Sequence, residues 1–126
     1  MSHGLEARIR VAREGFALHA DFSAPTGVTA LLGPNGAGKS TVVAALAGLV
    51  PLSGGSVAAD GRVWEDVSAG VRLPPRERRI GIAFQDPLLF PALTALDNVA
   101  YGRRARGGTR AQARRRAAAW LERLGA

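Results

Sequence analysis

At 126 residues the chain has the length of one ordinary domain, and 47% hydrophobic with 21% charged residues excludes an intrinsically disordered polymer. The absence of cysteine excludes disulfides and thiolate metal sites, and fits a reducing compartment. Net charge is +7, from 17 basic residues of which only Lys39 is a lysine. A chain that uses arginine at nearly every cationic position has kept a compact ammonium at one place, where a broad planar fork would not substitute for it.

The stretch from Met1 to Arg13 mixes Glu and Arg among its apolar residues and has no h-region of a signal peptide. The longest apolar run, Val42 to Leu52, is too short for a bilayer and is interrupted by Gly48 and Pro51. The expectation is a chain that is soluble and cytoplasmic, or held at a membrane only through a partner. In chain order, Leu5, Ala7, Ile9 and Val11 alternate with charged residues, the period of a half-buried strand. Val28 to Leu32 is a second apolar run, predicted as a strand, and it feeds a glycine-rich turn. Lys39 to Leu49 is small and apolar all round, which predicts a helix buried on most sides and ended by Gly48 and Pro51.

Residues 56–59 and 62–64 flank Asp60-Gly61, the signature of a hairpin with a type I′ turn; its strands are expected to be peripheral. Gly70 to Arg78, with Pro74-Pro75, is predicted as a loop, and Ile80 to Phe84 as a strand. Beyond Pro87 and Pro91 the pattern turns helical. Thr94 and Asp97 have capping-box spacing for a short helix through Val99 to Tyr101, ended at Gly102. After Gly107-Gly108, Thr109 with Gln112 caps a helix to Leu124, stopped by Gly125, with Ala113, Ala117, Trp120, Leu121 and Leu124 on one stripe.

Gly33-Pro34-Asn35-Gly36-Ala37-Gly38-Lys39-Ser40 fits G-x-x-x-x-G-K-[ST], between the predicted strand and helix that its chemistry requires. Glycines let the backbone approach phosphate and turn successive N–H groups inward, and the positive end of the following helix adds to the same anion site. Lys39 is the candidate for neutralising β- and γ-phosphate oxygens, Ser40 for offering a hydroxyl to Mg2+, and Thr41 for reaching the α-phosphate. The motif alone is shared by ATPases, GTPases and small-molecule kinases.

Leu32 to Thr41 resembles the phosphate loop of ABC transporter ATPases, and Arg79-Ile80-Gly81-Ile82-Ala83-Phe84-Gln85-Asp86 resembles the strand entering their Q-loop. Leu73 through Gly102, with Leu89-Phe90-Pro91, Leu93-Thr94 and Asn98 to Gly102, is similar to the importer branch, most of all to molybdate-import ATPases. The resemblance covers nearly the whole chain. It implies an α/β fold: a P-loop NTPase-type core with an N-terminal antiparallel β flank in residues 1–91, and the start of a helical subdomain, truncated, in residues 92–126.

It also implies ATP and Mg2+ as cofactors, with Ser40 and Gln85 toward the metal and Lys39 and Gln85 as catalytic residues. A neutral amide suits Gln85, since it can ligate or release a metal without leaving a buried charge. The implied partners are a membrane permease, a second ATPase subunit in the full-length homodimer and, indirectly, an extracytoplasmic solute-binding protein, at the cytoplasmic face of the membrane. Leu88, Leu89 and Phe90 are candidates for apolar contact with the permease.

Several features depart from that pattern. Leu52-Ser53-Gly54-Gly55-Ser56 looks like the family's signature, but lies just after the phosphate-loop helix, where a turn into a strand is expected. Asp60 and Asp86 precede the helical segment, too early for the family's magnesium-holding acid, and His3 and His19 are too early for its switch histidine. Phe16 is the nearest candidate to stack on adenine, but is expected in the core. The signature, catalytic glutamate and switch histidine do not occur in these positions, so the 126 residues alone are expected to bind ATP with little hydrolysis.

Arginines 103, 104, 106, 110, 114, 115, 116 and 123 spread around the tail helices and are expected to form a solvated face, with no nucleic-acid partner. Two rival functions stand beside the transport ATPase: a small phosphotransferase using Asp60 or Asp86 for magnesium, and a non-hydrolysing nucleotide-binding module.

Overall fold

The computed structural model describes residues 4–86 and 88–126; His3 and Pro87 lie outside the described residues. The chain forms two compact units, Met1–Ile82 and Ala83–Ala126.

The first unit is built on a five-stranded antiparallel sheet in the order β2-β1-β3-β4-β5. β1 (Gly4–Arg13) and β2 (Phe16–Pro25) form a long hairpin in which Leu5 faces Ala24 and Val11 faces Leu18. The alternation in β1 has the expected consequence: Ala7, Ile9 and Val11 are buried on one face. β2 carries the same period, with Leu18, Ala20 and Phe22 turned to the core and His19, Asp21 and Ser23 exposed. The same alternation was present in the sequence, so this strand was legible there although the sequence-based expectations above do not include it.

β3 (Gly54–Ala59) and β4 (Arg62–Asp66) form the expected hairpin, and both turn residues have positive φ, 51° at Asp60 and 79° at Gly61, as a type I′ turn demands. These strands are not peripheral, however. β3 lies at the middle of the sheet, antiparallel to β1, because its Val57 packs into the same core as Ile9. The 70–78 segment is also more ordered than a loop: β5 (Val71–Arg72) extends the sheet and Pro75–Glu77 forms a 3-10 turn.

One helix, α1 (Lys39–Ala47), covers the sheet, placing Val42 and Ala45 against Ile9, Leu18, Leu52 and Val57. Burial is one-sided rather than general, since Val43 remains 43% exposed. Gly48 stops the helix in the left-handed conformation, φ 82°.

Neither Val28–Leu32 nor Ile80–Phe84 is a strand in the structure. Both runs are apolar enough, but a strand needs a ladder partner for its N–H and C=O groups, and none is present among the described residues. Val28 and Leu32 are accordingly exposed, 102% and 87%.

The second unit is a helical hairpin. α2 (Ala95–Ala105) starts at Thr94, whose hydroxyl accepts the Asp97 N–H at 3.1 Å, and α3 (Arg110–Arg123) starts at Thr109, whose hydroxyl accepts the Gln112 N–H at 3.2 Å. α2 runs through Gly102 instead of ending there. A glycine inside a helix costs about 1 kcal/mol, which is offset by packing of Ala100 on Ala113 and Ala117, all three buried. In the C-terminal half of the expected stripe on α3, Trp120 is 53% and Leu124 74% exposed, and Leu121 is half-buried.

Arg114 closes the hairpin by donating Nε and Nη2 to the two carboxylate oxygens of Asp97, at 2.9 and 3.0 Å. That hydrogen bonding, with the fields of Arg114 and Arg110, holds the Asp97 carboxyl below its ordinary value. A depressed folded-state value means that the pair stabilises the hairpin fully above the ordinary carboxylate range near ~4, and that this stabilisation is lost as pH falls through the lower folded value. Arg114→Gln is expected to raise the Asp97 midpoint toward the ordinary range in an NMR titration of its side-chain carboxyl carbon, with Thr94 and Arg110 still holding it down in part. An unchanged midpoint would mean that the ion pair is not formed in solution.

Candidate nucleotide-binding site

The glycine-rich segment folds as a tight loop against β2. The Ala37 N–H donates to Pro34 O at 3.2 Å, and Gly36 and Gly38 take φ of 82° and 98°, which disfavours any other residue at either position. A Cβ on Gly38 would also stand 2.8 Å from Leu18 Cδ1, so the Leu18 side chain would have to shift to admit one. Gly38 is the N-cap of α1 and offers no side-chain cap; the first intrahelical bond runs from Val42 N–H to Gly38 O at 2.9 Å. The amides of Lys39, Ser40 and Thr41 therefore stand free of intrahelical acceptors, at the positive end of the helix.

Phe16, Asn35, Gly36, Gly38, Lys39, Ser40 and Thr41 surround a cavity of about 250 Å³. No carboxylate is among them, and the first turn of α1 holds no acidic residue. Lys39 is half-buried and folds back over the loop, its Nζ donating to Gly33 O. The arrangement combines one ammonium, a set of unpaired amides, two hydroxyls and a helix dipole, which suits a polyphosphate anion. The hydroxyl of Ser40 is a hard oxygen donor of the kind that magnesium takes.

Phe16 corrects the sequence-based expectation. It opens β2, is 37% exposed and lines this cavity instead of packing in the core. Its placement follows from the β1–β2 hairpin register, which the residue's identity alone could not reveal. A larger cavity of about 530 Å³ also exists in the first unit, walled by Leu5, Val43, Leu46, Trp64 and Ile80. It is mostly apolar and has none of the convergent donors of the loop, so the chemistry points to the smaller one.

The remaining candidates fall elsewhere. Gln85 and Asp86 are exposed residues of the second unit. Leu88, Leu89 and Phe90 are exposed as well, 69%, 70% and 46%, on a segment shaped by Asn98. The Asn98 amide accepts the Phe90 N–H at 2.8 Å and donates to Thr94 O at 2.9 Å, while the Phe90 and Tyr101 rings meet with centroids 4.6 Å apart. Asp60 sits in the β3–β4 turn, and its N–H donates to Gly4 O at 2.9 Å. His19 lies on the exposed face of β2 opposite Arg10. Gly54 and Gly55, of the signature-like stretch, lie in β3 beside Arg10 and Ile9 of β1.

No helix among the described residues is long and apolar enough to cross a membrane.

Residues 19–126 match the ABC transporter family. Among curated proteins, the chain is 45% identical over 114 residues to the molybdenum import ATP-binding protein ModC of Mycobacterium tuberculosis (strain CDC 1551 / Oshkosh), covering 86% of this chain and 31% of that protein. It is 43% identical over 100 residues to molybdenum import ATP-binding protein ModC 1 of Azotobacter vinelandii, covering 79% and 28%. To the corresponding protein of Rhodopseudomonas palustris (strain HaA2) it is 49% identical over 89 residues, covering 70% and 23%. The chain thus spans about a third or less of the length of the relatives it matches. With residues 19–126 matched, the glycine-rich loop included, the chain belongs to the ABC transporter family.

Proposed function

We propose that this chain is the ATP-binding portion of an ATPase that energises import of a small solute, molybdate or a similar oxyanion, through a membrane permease. The observation that carries the proposal is the loop itself: the only lysine, Ser40 and the free amides of the first turn of α1 converge on one cavity. Similarity to proteins named as molybdenum import ATP-binding subunits supports the choice of solute.

In this proposal Gly33 to Thr41 cradle the phosphates, and Lys39 neutralises charge that develops on the transferred phosphoryl group. Ser40 would hold the Mg2+ that accompanies ATP, Gln85 is the second magnesium candidate that the family resemblance implies, and Phe16 offers its exposed ring to the adenine. Residues 1–91 belong to the nucleotide-binding core and 92–126 open the helical subdomain. The exposed Leu88-Leu89-Phe90 segment meets the permease at the cytoplasmic face of the membrane, a second subunit completes each site in the full-length homodimer, and a solute-binding protein delivers the oxyanion. The 126 residues alone bind ATP and turn it over little, since they supply no catalytic glutamate in the family's position.

Titration of the purified chain with a fluorescent ATP analogue and Mg2+, followed by a multiple-turnover phosphate assay, tests both halves. Saturable binding displaced by ATP, with little phosphate release, is expected. Absence of binding refutes the nucleotide site, and sustained release refutes the dependence on further residues. For the solute, a strain lacking the gene is expected to lose uptake of radiolabelled molybdate at low external concentration; uptake at the parental rate would reject molybdate.

A further inference from the structure

α1 carries Lys39, Ser40 and Thr41 at one end and nothing polar beyond them: the rest of the helix is Val42-Val43-Ala44-Ala45-Leu46-Ala47, with no basic residue in its last turn. Small apolar side chains interlock weakly, so packing on the sheet resists displacement of such a helix along its axis less than large knobs would. Its far end is nevertheless held by cations brought from elsewhere. Arg78 donates Nη1 to Ala45 O at 3.1 Å and to Leu46 O at 3.2 Å, and Arg72 donates Nη2 to Gly48 O at 3.2 Å. They are among the last carbonyls at the helix end, at its negative pole; Ala45 O also accepts the Gly48 N–H at 3.1 Å.

The Arg78 side chain is fully buried, and its remaining bonds tie the helix to the sheet. Nε donates to Leu73 O at 2.9 Å, and Nη2 to Glu65 Oε1 of β4 at 3.0 Å. Glu65, 3% exposed, accepts the Leu52 N–H at 2.8 Å through its other oxygen. Gly48 is shaped to receive the guanidinium, since a Cβ there would stand 2.9 Å from Arg78 Cζ. Immediately after Arg78, Arg79 takes φ of 52°, an uncommon conformation for a non-glycine residue, which turns the chain into the segment leading to Gln85.

A buried ion pair is a weak device for stability, because well-packed apolar residues often serve as well, and in some proteins it serves to specify geometry instead. We propose that Arg78, clamped by Glu65, is a positioning residue for the nucleotide loop: it sets the axial position of α1 and thereby where Lys39 and the first-turn amides meet the phosphates. The inference rests on the proposed ATP site. A helix of nine residues is a rod of about 14 Å, and displacement of about 1 Å at a phosphate site is enough to matter.

The test compares the wild-type chain with Arg78→Lys, with Arg78→Met and with the double variant Arg78→Met/Glu65→Leu, which removes both charges together. ATP affinity is measured with a fluorescent analogue, thermal stability by circular dichroism, and loop geometry by the amide shifts of Gly36 to Thr41. The double variant is expected to recover stability relative to Arg78→Met alone, yet to bind ATP about 5- to 20-fold more weakly than wild type, with displaced loop amides. Arg78→Lys, which keeps the charge without the fork, is expected to fall between them.

A double variant with restored stability, wild-type affinity and unmoved loop amides would overturn the proposal and leave the pair a purely structural device. Failure of the wild type itself to bind ATP would refute the proposed function instead, and the loop shifts would then decide the positioning role. Unmoved amides in Arg78→Lys and in the double variant would refute that role.

Discussion

Replacing Lys39 by alanine is expected to weaken ATP binding about 10- to 100-fold, since a hydrogen bond to a charged group contributes about 1.5–3 kcal/mol. The expectation is at the upper end because no other cation lines the cavity and nothing nearby can take over the charge. The first-turn amides and the dipole of α1 remain, so binding is reduced instead of abolished. Lys39→Arg is not expected to restore it. The ammonium tucks back onto Gly33 O within its own loop, a space suited to a compact head and not to a planar fork. Calorimetric titration at fixed Mg2+, with circular dichroism to confirm the fold, separates loss of binding from loss of structure. Wild-type affinity in the alanine variant would remove Lys39 from the site.

What could be read from residues alone was whatever the local chain determines. Asp60-Gly61 demands its hairpin because two successive positive φ values suit few other pairs. Gly36 and Gly38 announce a tight turn ahead of α1 because the left-handed conformation that they adopt is encoded within a few positions. Thr94 and Thr109 mark helix starts for the same reason.

What could not be read depends on residues far apart in sequence. Val28–Leu32 has strand composition, yet whether it forms a ladder is decided by a partner strand and not by its own residues. Arg78 lies in a proline-rich, charged stretch that looks solvated, and only the pairing of β4 with β3 brings Glu65 to where the guanidinium can be buried. Phe16 likewise owes its place beside Gly38 to the β1–β2 register, ten residue pairs long. Gly102 misleads for a different reason. Its conformational cost is local, but the tertiary packing of Ala100 that overrides it is not.

Gly55→Ala is expected to destabilise the first unit by more than about 3 kcal/mol, adding backbone strain of about 1–3 kcal/mol to the loss of buried hydrogen bonds at about 1–3 kcal/mol each. Gly55 has φ of 86°, and a Cβ there would lie 1.8 Å from Arg8 O. No side chain can yield to relieve that contact, because the obstacle is the backbone of β1. Gly55 faces Ile9, which with Val57 is fully buried at the centre of the sheet, so separating β1 from β3 opens the core.

Gly61→Ala supplies the control. Its φ of 79° is similarly unfavourable to alanine, but nothing stands within 4 Å of the added carbon, and the expected cost is only about 1–2 kcal/mol. Urea unfolding of both variants isolates the steric part, and equal costs would mean that β1 and β3 do not approach this closely. The comparison also bears on the signature-like stretch Leu52 to Ser56. Of its two glycines Gly55 meets a requirement of the sheet, where β3 enters against Ile9, whereas a Cβ on Gly54 would make only ordinary contact with the Arg10 side chain. A Gly55→Ala chain with wild-type stability that lost only nucleotide-dependent association of subunits would instead assign them to gripping ATP.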